Sequence, residues 1–273
     1  MRMREHQVFF RWMCGRDVVN DGTLADWLDE VEALIGAPFA TWRQLGRPAQ
    51  TLPWELPARF EQVDSRIGAG ANQELRIRWE AAANPAGIAS FEVQASMHPY
   101  TGRFVTRLDL RVQRDALSDP SALEAWVVRF ERWVGNSAAL WAHAHDADDD
   151  AMQNIFDPGL LKLGYGVEVE AGTDLSQNPG REVSRGEFRY AINWMTRFGA
   201  EMAQELRLDE RELAVPGVEF RRDDEGLWLR LAPSPLNPDD ESVRSRQRAL
   251  RDLFEIPALA DRTRRTFGFW QTR

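Results

Sequence analysis

The side chains with the clearest potential for chemistry lie between His143 and Asp150, where two histidines and four aspartates occur within eight residues. Imidazole and carboxylate groups are ligands for zinc and manganese, so a metal-dependent hydrolase is one interpretation. The familiar His-x-His-x-Asp-His pattern does not fit, because Ala147 and Asp148 occupy its last two positions and no histidine follows His145. The run therefore favours a solvated acidic loop over a metal site, and no cofactor is predicted.

Acidic side chains are also candidates for binding a partner. The protein carries 43 acidic and 34 basic residues, a net charge of -9, which disfavours direct contact with nucleic acid. It suits a basic partner, such as the phosphate-binding groove of a nuclease. The partner-binding residues predicted in two exposed acidic stretches are Asp146, Asp148, Asp149, Asp150, Asp223, Asp224 and Glu225.

Signatures of nucleophilic or nucleotide-dependent catalysis do not occur in the sequence. There is no Gly-x-Ser-x-Gly elbow, Cys14 has no histidine near it in an apolar strand, and Lys162 follows no glycine-rich run of phosphate-loop spacing. Gly68-Ala69-Gly70 lacks the third glycine of a dinucleotide fingerprint. We expect a protein that is not an enzyme, although a carboxylate pair among 43 acidic residues stays open.

Length and composition predict a folded protein of the cytoplasm. The 273 residues are 43% hydrophobic and 28% charged, enough for a sizeable core. A single cysteine allows no intrachain disulfide, and no apolar stretch approaches the roughly 20 residues of a membrane span. The sequence does not indicate an oligomeric state.

The elements that would position these side chains centre on three runs between Glu74 and Val112, each alternating apolar and polar residues. A period of two is typical of a strand with one buried face. The apolar positions are Leu75, Ile77 and Trp79, then Phe91, Val93, Ala95 and Met97, then Leu108, Leu110 and Val112. Proline and glycine separate the runs, which predicts an antiparallel meander with one wet and one dry face.

Helices are predicted to cover the dry face. Asp119-Pro120 would cap a helix over 121–134, and a second helix is predicted over 23–35 after a strand at 7–14. Further elements follow the acidic run: a short strand over 188–192, a helix capped by Asn193, a hairpin turning through 223–226, a helix starting near 237–241, and a last helix over 258–265. This pattern indicates an α+β fold, an antiparallel meander sheet covered by helices, as one domain over 1–273 or as two similar lobes, 1–136 and 137–273.

The order of aromatic and glycine anchors resembles the immunity protein 52 family, whose members are encoded beside polymorphic toxins of bacteria. The anchors are Trp12, Gly15 and Arg16; Leu24, Trp27 and Leu28; Pro38 and Trp42; Trp126, Phe130 and Trp141; Asn193 and Trp194; and Gly226-Leu227-Trp228-Leu229. The resemblance spans most of the chain, but segments 51–70 and 170–186 depart from the pattern, so it locates no toxin-binding surface.

The resemblance implies an intracellular antidote that binds a cognate secreted toxin, usually a nuclease, and occludes its active site. It agrees with the acidic charge and the missing catalytic signatures. Two alternatives remain at this stage. One is a metal-dependent hydrolase using His143 and His145, and the other is a structural adaptor of a secretion system.

Overall fold

The computed structural model describes residues 6–18, 21–44, 51–53, 75–98, 101–154, 181–235 and 240–259. The chain divides into two units, an N unit formed by Phe9–Ala139 and a C unit formed by Met1–Val8 with Leu140–Arg273. That the halves are related lobes stays a prediction. Segment 51–70, which matched nothing in the family pattern, lies outside the described residues except for 51–53, and so does 170–186 except for 181–186.

Strands and two helices build the N unit. They are β1 (Gln7–Cys14), α1 (Thr23–Ile35), β2 (Thr41–Gln44), β3 (Thr51–Pro53), β4 (Leu75–Glu80), β5 (Ile88–Met97), β6 (Phe104–Gln113), a 3-10 turn (Arg114–Leu117) and α2 (Pro120–Asn136). The strand order is β1-β6-β5-β4-β2-β3. The opening strand, the first helix and the capped second helix are therefore confirmed.

The predicted meander is formed by β4, β5 and β6, which pair antiparallel. Trp79 lies opposite Phe91, and Phe91 lies opposite Leu110, so the apolar positions of the three runs share one face. All three side chains are fully buried. The strict alternation of the sequence thus specified the pairing register, because a slip of one residue would turn every apolar side chain outward.

Aromatic side chains from the helices cover this buried face. Trp12 of β1 stacks on Trp133 of α2 with ring centroids 6.0 Å apart and meets Trp27 of α1 edge-on at 5.6 Å. The carboxylate of Asp119 accepts a hydrogen bond of 2.8 Å from the Ala122 N–H, the predicted cap of α2. The local cover expected from the sequence is confirmed.

Shorter elements build the C unit. They are β7 (Ala139–Asp146), α3 (Ala147–Asn154), β8 (Val183–Arg185), β9 (Phe188–Tyr190), β10 (Met195–Gly199), α4 (Ala200–Glu205), a 3-10 turn (Leu208–Glu210), β11 (Glu219–Asp223), β12 (Gly226–Arg230) and α5 (Glu241–Leu253). Four strands lie in the order β11-β12-β10-β7, and β8 pairs with β9 alone. With helices against antiparallel strands, the fold is α+β as predicted.

The predicted helix after Asn193 is wrong in its first half. Residues 195–199 form β10, which pairs antiparallel with β7 on one side and β12 on the other, and helix α4 begins only at Ala200. Every residue of β10 is buried. A strand that is buried on both faces does not alternate between apolar and polar residues, which is the usual sign of a strand in sequence. The apolar residues of β10 were therefore read as one face of a helix.

Two other predictions for the C unit are confirmed. The hairpin forms between β11 and β12 with its turn at Asp224-Glu225. Helix α5 begins at Glu241, with the Asp240 carboxylate accepting a hydrogen bond of 2.9 Å from the Ser242 N–H. Residues 237–239 of the predicted helix start, and the part of the last predicted helix beyond residue 259, lie outside the described residues.

Candidate functional site

The first acidic stretch is not the solvated loop that the sequence favoured. His143, His145 and Asp146 belong to β7, and Asp149 belongs to α3, and all four side chains are at most 1% exposed. The prediction that Asp146 and Asp149 are exposed for binding a partner is therefore wrong. The side chain of Asp148 lies outside those described, and that of Asp150 is about one-third exposed at 35%.

Packing explains why this polar run is buried. All eight residues of β7 are buried, and Trp141 and His143 lie with ring centroids 4.9 Å apart. The Asp146 carboxylate accepts a hydrogen bond of 3.3 Å from the Asp149 N–H, the geometry of a helix N-cap. Asp146 and Asp149 thus mark where strand β7 ends and helix α3 begins.

A chain of polar contacts links α3 to α5. The Arg244 guanidinium donates to the Asp149 carboxylate through Nη2 and to Gln247 Oε1 through Nη1 at 2.7 Å. The Gln247 amide nitrogen in turn donates to the Ile192 carbonyl at 2.7 Å. Arg244 and Gln247 are themselves buried, so this network neutralises a carboxylate inside the C unit.

Burial dominates the ionisation of Asp149. Loss of hydration raises the pKa of this carboxyl to about 6, and the charge and hydrogen bond of Arg244 oppose that rise only in part. The nearby carboxylates of Asp150 and Asp146 raise the pKa further. The same contact with Arg244 that would lower the pKa of an exposed carboxyl is therefore outweighed by desolvation.

One of the two histidines lies close to a described carboxylate of this run. His145 Nε2 lies 3.8 Å from Asp150 Oδ2, and Asp150 also accepts a hydrogen bond of 2.9 Å from the Asn154 amide. Within the described ranges, no group of three or more histidine, cysteine, aspartate or glutamate side chains is placed to hold a metal ion. The arrangement fits a structural polar core better than a hydrolase site.

The second acidic stretch forms the exposed tip of the β11–β12 hairpin. Asp223 accepts two hydrogen bonds from Arg197, at 2.8 Å from Nη1 and 3.3 Å from Nη2, and Glu225 accepts one of 3.4 Å from Nη2. Arg197 comes from β10 and is 2% exposed, with its guanidinium 5.5 Å from the Trp228 ring. Asp224 lies exposed between the two held carboxylates.

These contacts favour the ionised form of Asp223 and tie the turn to β10. Partial burial alone would raise the pKa of Asp223, but the hydrogen bonds and charge of Arg197 outweigh it, so the pKa lies below its usual value. The Asp223 carboxylate also accepts a hydrogen bond of 3.0 Å from the Glu225 N–H, closing the turn. The structure thus offers a preorganised anionic tip where the sequence predicted an acidic partner-binding segment.

The residues that organise both clusters were missed by the sequence reasoning. Arg197, Arg244 and Gln247 carry polar side chains in segments where only the apolar positions were used to place elements. A buried arginine leaves no periodic pattern, because its partner lies tens of residues away, as Asp149 does from Arg244. The lone thiol is also buried: desolvation raises the pKa of Cys14 to about 12, which favours the protonated thiol at neutral pH.

Comparisons with known proteins place the fold and leave the family open. The sequence matches no known protein family and no curated protein. Among solved structures, it is similar to the type VI secretion system (T6SS) protein PA0821 of Pseudomonas aeruginosa, with a TM-score of 0.56 and 13% identity. The match covers 91% of this chain and 72% of that chain. At this identity the likeness concerns the fold, and membership of the immunity protein 52 family stays a prediction.

In the part of the chain that the structure describes, no helix is both long enough and apolar enough to cross a bilayer.

Proposed function

We propose that this protein is an immunity protein that binds a cognate secreted bacterial toxin in the cytoplasm and neutralises it by covering its active site. The observation that carries the proposal is the similarity in fold to a T6SS protein over 91% of the chain. The order of aromatic anchors in the sequence resembles that of the immunity protein 52 family and supports a role as an antidote to a secreted bacterial toxin.

The acidic hairpin tip is the proposed contact with the toxin. Asp223, Asp224 and Glu225 project from one turn, and the buried Arg197 beneath them together with Arg221, whose charge also acts on Asp223, leaves one net negative charge. Because Arg197 already holds two of the carboxylates, binding costs little side-chain entropy. A nuclease groove that binds phosphates is basic, and an anionic tip fits it by charge.

Inhibition by occlusion requires no catalysis by the antidote. The proposal assigns His143 and His145, which are buried, to the packing of the C unit and not to a reaction. The adaptor alternative predicts assembly with secretion machinery and no effect on toxin activity, so the same experiment separates it from the antidote.

The test is co-expression with the product of the adjacent gene, followed by co-purification. We expect growth to be restored and the two proteins to elute as one complex whose affinity falls as salt is raised. Failure to restore growth together with absence of a complex would overturn the antidote proposal. A complex that leaves the toxin active would favour the adaptor.

A matched pair of variants tests the hairpin tip. Asp224→Lys reverses one exposed charge without touching Arg197, and Asp252→Lys makes the same change on the exposed side of α5 in the same unit. We expect Asp224→Lys to weaken toxin binding at least tenfold and Asp252→Lys to change it less than twofold. If both variants weaken toxin binding equally, the hairpin tip is not the contact. The antidote role itself is tested separately by the growth experiment.

A further inference from the structure

A second charged surface, of opposite sign, lies on the polar face of the N-unit strands. We call it the arginine face. Its charged members in the described residues are Arg11, Arg43, Arg76, Arg78, Arg107 and Arg111 with Glu80, Glu92 and Asp109. These side chains carry three more positive than negative charges, in a protein whose net charge is -9.

The strand register brings these arginines together. Arg43 lies opposite Arg78, and Gln94 lies between Arg76 and Arg107 in neighbouring strands. Like charges side by side on a sheet repel, which is unfavourable for folding alone. Carboxylates relieve part of that repulsion.

Two buried carboxylates anchor the surface. Glu92 accepts hydrogen bonds of 2.7 Å from Arg76 Nε and 2.6 Å from Arg78 Nη2. Asp109 accepts one from Arg11 Nε and lies 3.1 Å from Arg107 Nε. The Glu92 and Asp109 side chains are 2% and 4% exposed, whereas those of the paired arginines are between 15% for Arg78 and 39% for Arg76. Solvent therefore reaches the arginines in part, with the carboxylates beneath them.

The anchored arginines keep capacity for further contacts. A guanidinium has five N–H donors, so Arg76, Arg78 and Arg107 together offer about fifteen donors to the roughly eight acceptor positions of Glu92 and Asp109. Phe9 adds a rigid aromatic element, with the Arg111 guanidinium 4.8 Å and the Arg11 guanidinium 5.9 Å from its ring centre. Aromatic and arginine side chains are the types enriched where protein interfaces gain most of their energy.

We propose that the arginine face is a docking surface for a partner protein that presents clustered carboxylates. The strands β1, β6, β5, β4 and β2 span about 19 Å at the usual spacing of neighbouring strands. This width fits the core of a standard interface, which covers about 800 Å² on each partner.

Charge selects a folded acidic protein over a nucleic acid. A polyanion continues past the arginine face and meets the field of a molecule with nine excess negative charges. A compact carboxylate cluster can contact the arginines while its charges stay more than a Debye length of about 8 Å from much of the acidic surface, so that salt screens the repulsion. The inference is independent of the antidote proposal, because it concerns the other unit and a partner of opposite charge.

A labelled peptide of four glutamates is the probe, because at most about 14 Å of extended chain stays within the width of the arginine face. Its binding is followed by fluorescence polarisation at 50 mM and 300 mM salt. The Arg76→Gln/Arg107→Gln double variant removes two charges that share Glu92. Its matched control is Arg129→Gln/Arg132→Gln on α2, where both arginines share Glu30. We expect saturable binding to the wild type, at least tenfold weaker binding to the first variant and a less than twofold change in the control.

Two further measurements separate charge from loss of folding. Arg43→Gln disturbs an ion pair with Glu80 in which both side chains are about one-third exposed, and it is expected to weaken binding about threefold with an unchanged melting temperature. The Arg76→Lys/Arg107→Lys double variant keeps the charge and is expected to retain binding within threefold. Absence of saturable binding, or an equal loss in the control, would overturn the proposal. Tenfold tighter binding of a four-nucleotide single strand would assign the surface to nucleic acid instead.

Discussion

The guanidinium of Arg244 on α5 donates a hydrogen bond to the carboxylate of Asp149, the third residue of α3, and both side chains are buried. This ion pair occupies the run that looked in sequence most like a metal site or an exposed acidic loop. Its consequence is structural: a buried charge holds two helices of the C unit together.

Replacing Arg244 with leucine should therefore destabilise the protein in a pH-dependent way. Removing one partner of a buried pair typically costs about 3–5 kcal/mol, because the other charge stays buried without compensation. The loss should be smaller at pH 5 than at pH 7, since Asp149 has a raised pKa of about 6 and rises further without Arg244. Urea unfolding of variant and wild type at both pH values measures the difference.

The pH dependence follows from the raised pKa of Asp149, which means that this carboxyl binds its proton more tightly in the folded protein. The protonated carboxyl therefore contributes fully to the free energy of unfolding below about pH 4, and that contribution is lost as the pH rises through about 6. Arg248→Leu, at an exposed ion pair on the same helix, is the control and should cost at most about 1 kcal/mol. An equal loss at pH 5 and pH 7 for Arg244→Leu would contradict the assignment.

Glu92 should show the opposite pH dependence in the N unit. Burial and the neighbouring Asp109 would raise the pKa of Glu92, but hydrogen bonds from Arg76 and Arg78 bring it below the usual value. Its stabilisation is present above about pH 4.5, the unfolded value, and is lost as the pH falls through the folded pKa.

Glu92→Gln is accordingly expected to lower the free energy of unfolding by about 3 kcal/mol at pH 7. The difference in unfolding free energy between variant and wild type should narrow below pH 4. Chemical unfolding followed by tryptophan fluorescence across pH 3–7 provides the measurement. Glu80→Gln, on the same face but 37% exposed, serves as the control and should cost under about 1 kcal/mol. A gap that stays constant with pH would show that the charge of Glu92 is not what stabilises the fold.

Gly226→Ala should disrupt the hairpin that carries the acidic tip. Gly226 has a φ of 148°, and an added Cβ would lie 2.1 Å from the Phe198 carbonyl oxygen. Backbone strain and this clash with a neighbouring strand together predict a loss of at least about 3 kcal/mol. Thermal unfolding measures it, and Gly135→Ala in α2, where a Cβ meets nothing within 4 Å, should be neutral or stabilising. A Gly226→Ala protein as stable as wild type would contradict this geometry.

Trp12→Ala tests the aromatic core of the N unit. The Trp12 side chain is 1% exposed and contacts Trp27, Phe91, Phe130 and Trp133. Truncation should cost about 3–5 kcal/mol through lost burial and the cavity left behind. Val128→Ala, at a 58% exposed position of α2, should change stability by less than about 0.5 kcal/mol in the same denaturant titration. Similar losses in both variants would argue against Trp12 as the centre of this core.

Local patterns were enough to predict much of the architecture. The alternation in β4, β5 and β6, the Asp119 cap of α2 and the turn between β11 and β12 each depend on residues close together in the chain. Such patterns indicate structure because the period of two and the helix cap are properties of short segments. The same reasoning failed for β10, where burial on both faces removed the pattern.

By itself the sequence determined the α+β class, the dry face of the meander, the covering helices and an acidic hairpin tip. Only the tertiary structure decided that Asp149 is paired with Arg244 inside the C unit, that Arg197 holds the tip, and that six arginines converge on one face. The physical reason is that a charge is stabilised by whatever lies within a few ångströms of it in space. For Asp149 and Arg244 that partner lies 95 residues away along the chain, where no local period or cap can indicate it.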